Sequence, residues 1–108
     1  MFARRVSMYL KPNSVPGFQQ KIESDVLPLL RKQPGFADAV SFLYANRKEV
    51  HFISLWQTAE DADACGRTVY LEVMKMLSPL VDTLEGTSRV QTYEVLNSTF
   101  SNVTSMAA

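Results

Sequence analysis

The chain has one cysteine and one histidine among its 108 residues, few glycines, and eleven basic side chains that cancel eleven acidic ones. Each scarcity removes a class of protein. A single Cys65 forbids an internal disulfide and fits a reducing compartment. Together with His51 it cannot build a structural zinc site, which takes four such ligands. There is no glycine-rich phosphate loop and no CxxC pair, so no cofactor and no metal is expected. Asp38, Asp61 and Asp63 are cation-ligand types, but the last two make better sense as charges at a helix start. A net charge of zero lacks the lysine and arginine excess that displaces counterions, which argues against nucleic acid or an anionic membrane as partner. No run approaches the roughly 18 apolar residues of a membrane span. No apolar stretch of signal-peptide length follows "MFARR", so a cytoplasmic location is expected. The sequons at Asn97 and Asn102 then read as chance matches in a polar tail.

What is present is an ordinary globular composition, 46% apolar, in a chain long enough for one core between two layers. "FARRVSMYL", residues 2–10, alternates: Phe2, Arg4, Val6, Met8 and Leu10 share one face, and Ala3, Arg5, Ser7 and Tyr9 the other. That is a strand. After a loop in which Asn13 or Ser14 can cap, Phe18, Ile22, Val26, Leu29 and Leu30 recur at helical spacing. Pro28 falls inside that helix and predicts a kink or a loosening. "QPG" at 33–35 ends it. "FADAVSFLYA", 36–45, and "VHFISLWQ", 50–57, make a hairpin across "NRKE". Thr58 with Asp61 resembles a capping box and starts a second helix, whose stripe is Ala62, Cys65, Gly66, Val69, Val73, Met76 and Leu77. "SP" interrupts it, and "PLVDTLEG" is expected to add a short helical turn ending near Gly86. "TSRVQTYEVL", 87–96, is the last strand. One domain, 1–97, is expected, with 98–108 a polar C-terminal tail.

The order is β-α-β-β-α-β, an α+β ferredoxin-like arrangement with a four-stranded antiparallel sheet. Two helices cover one face of such a sheet. Yet the third strand is apolar on both, with Phe52 and Trp56 on one side and Ile53 and Leu55 on the other. A second copy of the chain is the simplest cover for the open face. The expected partner is therefore itself: a homodimer packed sheet to sheet, burying Ile53, Leu55 and neighbours such as Leu43. His51 shares the parity of Ile53, which makes it an interface residue rather than a base for anything beside Trp56.

Nucleophiles need a nearby base, and none is evident. Cys65, on the apolar stripe, reads as a small core residue. Tyr70 borders that stripe; its hydroxyl can reach a cavity, or sit at the rim of the core. The methionines of "VMKML", Met74 and Met76, are core filling or a malleable pocket wall.

"LPLLRKQPGF", followed about twenty residues later by "ISLWQTAEDADA", resembles the antibiotic biosynthesis monooxygenase superfamily over about residues 2–96. The resemblance implies a dimeric α/β barrel, with a ligand cavity in each subunit between sheet and helices. It also implies oxidation of aromatic or quinol-type substrates by O₂ without metal or flavin. The cavity would be walled by Val6, Phe52, Ser54, Trp56, Tyr70 and Met76. Substrate would contact Val6, Phe52, Trp56 and Met76; Trp56 would stack on it or hydrogen-bond to it, and Tyr70 or Ser54 would handle protons. Two positions depart from the polyketide oxidases: Phe52 stands for their asparagine and Ala62 for their tyrosine. The second helix also lacks the histidine of haem-degrading relatives. The alternative is a non-catalytic dimeric module that binds a small apolar or aromatic ligand. In either case Trp56 could instead simply complete the core.

Overall fold

The structure, a computed structural model, describes residues 1–84, 86 and 88–100. Strand β1 (Phe2–Tyr9) leads into α1 (Val15–Lys21), a π-helical turn (Ile22–Val26) and α2 (Leu27–Arg31). The hairpin β2 (Phe36–Leu43) and β3 (Glu49–Trp56) follows. Then come α3 (Ala59–Thr68), α4 (Tyr70–Leu77), a 3₁₀ turn (Ser78–Leu80) and β4 (Arg89–Glu94). The sheet is antiparallel throughout, ordered β2-β3-β1-β4. This is the ferredoxin-like topology that the alternation and helix stripes imply.

Strand parity decides what reaches the helices. In β1 and β3 the even-numbered residues face them: Val6 pairs with Phe52, Met8 with Val50, Phe2 with Trp56. These join Phe18, Ile22, Val26 and Leu30 of the first helical layer, and Ala62, Cys65, Val69, Val73 and Leu77 of the second, in one buried cluster. The odd-numbered residues form the open face, where Leu55 is buried against Met1 with Ala3, Ile53 and Val95 beside them.

The first helix explains its own irregularity. Phe18, Ile22, Val26 and Leu30 are all buried at a strict spacing of four. On a regular α-helix each such step drifts by about 40°, so the outer pair would diverge by about 120°. The wider turn at Ile22–Val26, where the Leu27 N–H bonds to the Ile22 carbonyl, takes back part of that drift. It also relieves Pro28, whose ring would press on the carbonyl four residues earlier. The loosening expected from Pro28 is therefore a π turn directly before it.

Other details are corrected. Ser14 holds the N-cap position of α1 without a side-chain bond, and Asn13 turns the chain at φ 62°. Thr58 does cap α3, its Oγ1 accepting from the Asp61 N–H at 3.1 Å. The single second helix is broken at Val69 into α3 and α4. The turn expected to run to Gly86 is only Ser78–Leu80, after which Val81 pairs with Leu10. Leu43 is not on the open face: an irregularity between Phe36 and Asp38 flips the parity of β2, so Leu43 pairs with Val50 on the helix side. Val40 and Phe42 take its place beside Ile53 and His51. Residues 98–100 carry no regular secondary structure, and the rest of the tail, with the Asn102 sequon, lies outside the described residues.

Candidate functional site

Trp56 ends β3 on the helix side and is completely buried. Phe36, its partner across the hairpin, meets it edge to face with ring centroids 5.5 Å apart. Its Nε1–H donates to Ser54 Oγ at 2.8 Å, and Ser54 in turn makes a long 3.4 Å bond to the Arg4 carbonyl. Two residues apart on one strand face, Trp56 and Ser54 thus satisfy each other.

Behind them lies an interior cavity of about 20 Å³, bounded by β1, β3, α2, α3 and α4. Of the residues expected at a pocket, Val6, Phe52, Ser54 and Tyr70 line it together, with Cys65 and Met74. Trp56 and Met76 do not; Trp56 sits behind Ser54, and Met76 packs half-buried against the core. About 20 Å³ is room for roughly one water. A ligand needs more space, and the wall that could yield is Phe52. It lines both this cavity and an outer groove of about 220 Å³ between the first helical layer and β2, shared with Phe18, Ile22, Leu27 and Ala39.

The residue that sequence reasoning missed is Arg4. It lines the same cavity and is only 8% exposed. Its guanidinium lies 4.7 Å from the centre of the Tyr70 ring. Gly66 of α3 leaves it space: a Cβ there would fall 3.0 Å from Nη2. Among the described residues no carboxylate is within ion-pair distance, and no Asp, Glu or His lines the cavity. Stacking on a tyrosine is worth about 0.5–2 kcal/mol. Taking a cation out of water costs several kcal/mol. None of the Arg4 nitrogens is among the fully buried polar atoms without a partner, so that cost is incurred only in part. Arg4 was legible as the one charged residue on the apolar parity of β1. Beside it, burial raises the Cys65 thiol above its ordinary value, although Arg4 opposes that rise, so the thiol stays protonated at neutral pH.

On the opposite face His51 bridges two partners, Ser7 Oγ at 3.1 Å from Nδ1 and Glu49 Oε2 at 2.6 Å from Nε2. With Tyr9, Arg5 and Arg89 they line a depression of about 260 Å³. The sheet separates this cluster from the cavity. No group of three or more potential metal ligands exists among the described residues, and no described helix is long and apolar enough to cross a membrane.

A ferredoxin-like α+β chain with a largely buried arginine beside a small cavity is the class that this geometry defines. No protein-family model matches the chain, and no curated protein does. Solved structures do. A provisionally named antibiotic biosynthesis monooxygenase from Nitrosomonas europaea superposes with a TM-score of 0.69 at 16% identity, over 88% of this chain and 89% of that one. Another so named, from Bordetella bronchiseptica, gives 0.71 at 12% identity, over 87% and 95%. A conserved protein from Methanosarcina mazei gives 0.63 at 21% identity, over 86% and 92%. The chain shares the fold of these proteins, as the Trp56 segment implied.

Proposed function

We propose that the chain is a cofactor-independent monooxygenase-like enzyme acting on a small aromatic or quinol-type molecule in the cavity between sheet and helices. The observation that carries this reading is the clustering of Arg4, Ser54, Cys65 and Tyr70 around a void in an otherwise apolar interior. Its setting, a fold shared with provisionally named monooxygenases, supports it. In such a reaction the substrate itself reduces O₂: one oxygen atom enters the product, and the other leaves as water with two substrate hydrogens. The protein's share is to orient the substrate, exclude water and stabilise the ionised form. Tyr70 and Ser54 are the hydroxyls at hand for proton transfer; Trp56 acts through Ser54, which it holds in place. The test is oxygen uptake with a panel of anthrones and hydroquinones, read against the uncatalysed rate. Saturable uptake that falls in Tyr70→Phe is the expected result, and none across the panel refutes the enzyme.

A specific observation favours a second reading, a non-catalytic binding module. The cavity offers no carboxylate or imidazole among the described residues, and Ser54 Oγ is already occupied. Saturable binding without oxygen uptake would select it. Both readings include a homodimer. Val40, Phe42, Ile53 and Tyr93 lie on the open face, with Phe42 53% exposed, and a second sheet would cover them. Sedimentation should return twice the 12.2 kDa of one chain, and a monomer at micromolar concentration would refute the dimer.

A further inference from the structure

We infer that the molecule entering the cavity is an organic anion, its acid group paired with Arg4 and its body lying outward past Phe52. This rests on the cavity being a ligand site, and narrows the ligand to carboxylates and ionised phenols. Three observations carry it. Arg4 is buried beside the void with no carboxylate in range among the described residues. Unlike a lysine, an arginine cannot escape the cost of burial by shedding its proton. Its environment supplies a tyrosine face, a serine and a protonated thiol, and nothing of opposite charge.

The planar guanidinium presents parallel N–H donors, the geometry that a carboxylate accepts in pairs and a phenolate singly. On the α3 side the guanidinium packs against Gly66, where a Cβ would fall 3.0 Å from Nη2, so the acid group must approach from the void. The size of the void sets the direction of entry. With room for about one water, it can take an acid group only if the rest of the molecule lies elsewhere. The groove of about 220 Å³ shares Phe52 with the void, so on this proposal displacement of that ring is what joins the two spaces. The resulting site has apolar walls from Phe18, Ile22, Leu27 and Phe52, polar groups including the Glu23 carboxylate along its outer groove, and one fixed positive charge at its inner end. It therefore selects aromatic acids over neutral molecules of the same shape.

The probes are benzoate and benzamide, equal in outline and different in charge, titrated calorimetrically into the full chain at neutral pH. Benzoate should bind about tenfold tighter or more, since a hydrogen bond to a charged group outweighs a neutral one by that order. In Arg4→Met the preference should fall to about one, and Arg4→Lys should restore part of it. Equal affinity of the two probes for the wild-type chain, or a benzoate preference that survives in Arg4→Met, overturns the anion assignment and leaves the cavity as a neutral site. Absence of binding by both at millimolar concentration removes the cavity reading itself. The wild-type comparison stands alone even if Arg4→Met fails to fold.

Discussion

Replacing Trp56 by alanine tests whether this residue completes the core or serves mainly a ligand. Its side chain is wholly buried, so truncation leaves a large hole, and such changes cost about 3–5 kcal/mol. The edge-on contact with Phe36 adds about 0.5–1.5 kcal/mol beyond area, and the Nε1–H bond to Ser54 about 1 kcal/mol. These overlap in part, so the expected loss is about 4–5 kcal/mol, close to the whole stability of a marginal domain. With a urea slope of about 1.5 kcal/mol per molar, the midpoint should fall by about 3 M. The transition is best followed by far-UV circular dichroism at fixed protein concentration, since the variant has lost its only indole and a dimer would make the midpoint concentration-dependent. Should the alanine variant be unfolded without denaturant, a double-mutant cycle of Trp56→Phe with Ser54→Ala isolates the hydrogen bond, with an expected coupling of about 1 kcal/mol. A loss below about 2 kcal/mol in Trp56→Ala, or zero coupling in the cycle, would refute the packing argument.

Three further outcomes follow from the same geometry. Arg4→Met should stabilise the ligand-free chain by up to about 1 kcal/mol, because an apolar stem replaces a largely buried cation that has only the Tyr70 ring beside it; a lower urea midpoint would show that the Tyr70 stack outweighs the burial. Gly35→Ala should destabilise by more than about 2 kcal/mol, combining a left-handed backbone at φ 79° with a Cβ that would lie 2.0 Å from Asp61 Oδ2; an unchanged melting temperature would contradict it. Cys65, buried with its pKa raised, should react with an aromatic disulfide reagent at pH 8 far more slowly than in the urea-unfolded chain. Since the folded state holds the thiol proton longer, stability attached to Cys65 is full below the ordinary thiol range and declines as pH rises through it towards the raised folded value. A Cys65→Ala variant should lack that alkaline component, and an identical decline in both chains would exclude it.

The strands and helix stripes were readable because each repeats over at least seven residues, and the repeat of β1 and β3 places their helix-side residues correctly; Leu55, expected to be covered by a second copy, is already buried against Met1 within the chain. Leu43 was misplaced because a single irregularity near Ala37 inverts everything after it, and "FADAV" carries no glycine or proline to announce one. The break at Val69 is equally silent, since the stripe from Ala62 to Leu77 runs across it. At the site, Val6, Phe52, Ser54 and Tyr70 converge as parity and helical spacing require. Trp56 has the right parity but lies at the strand end, where its ring turns to Phe36 and Ser54 instead of the void. Arg4 was in plain view; its charge masked a position that the alternation had already assigned to the interior.

The π turn has a consequence for how this chain is matched to others. It lodges one residue more than a regular helix would spend between Ile22 and Val26. Against a relative with an unbroken first helix, positions before Ile22 and after Val26 therefore correspond in two frames, offset by a single insertion. Deleting one residue there without removing Pro28 would rotate Leu27–Arg31 by about 100°. Leu30 would then swing off the cavity wall it now closes, and the insertion, not the hydrophobic pattern alone, is what keeps the end of that helix aimed at the sheet.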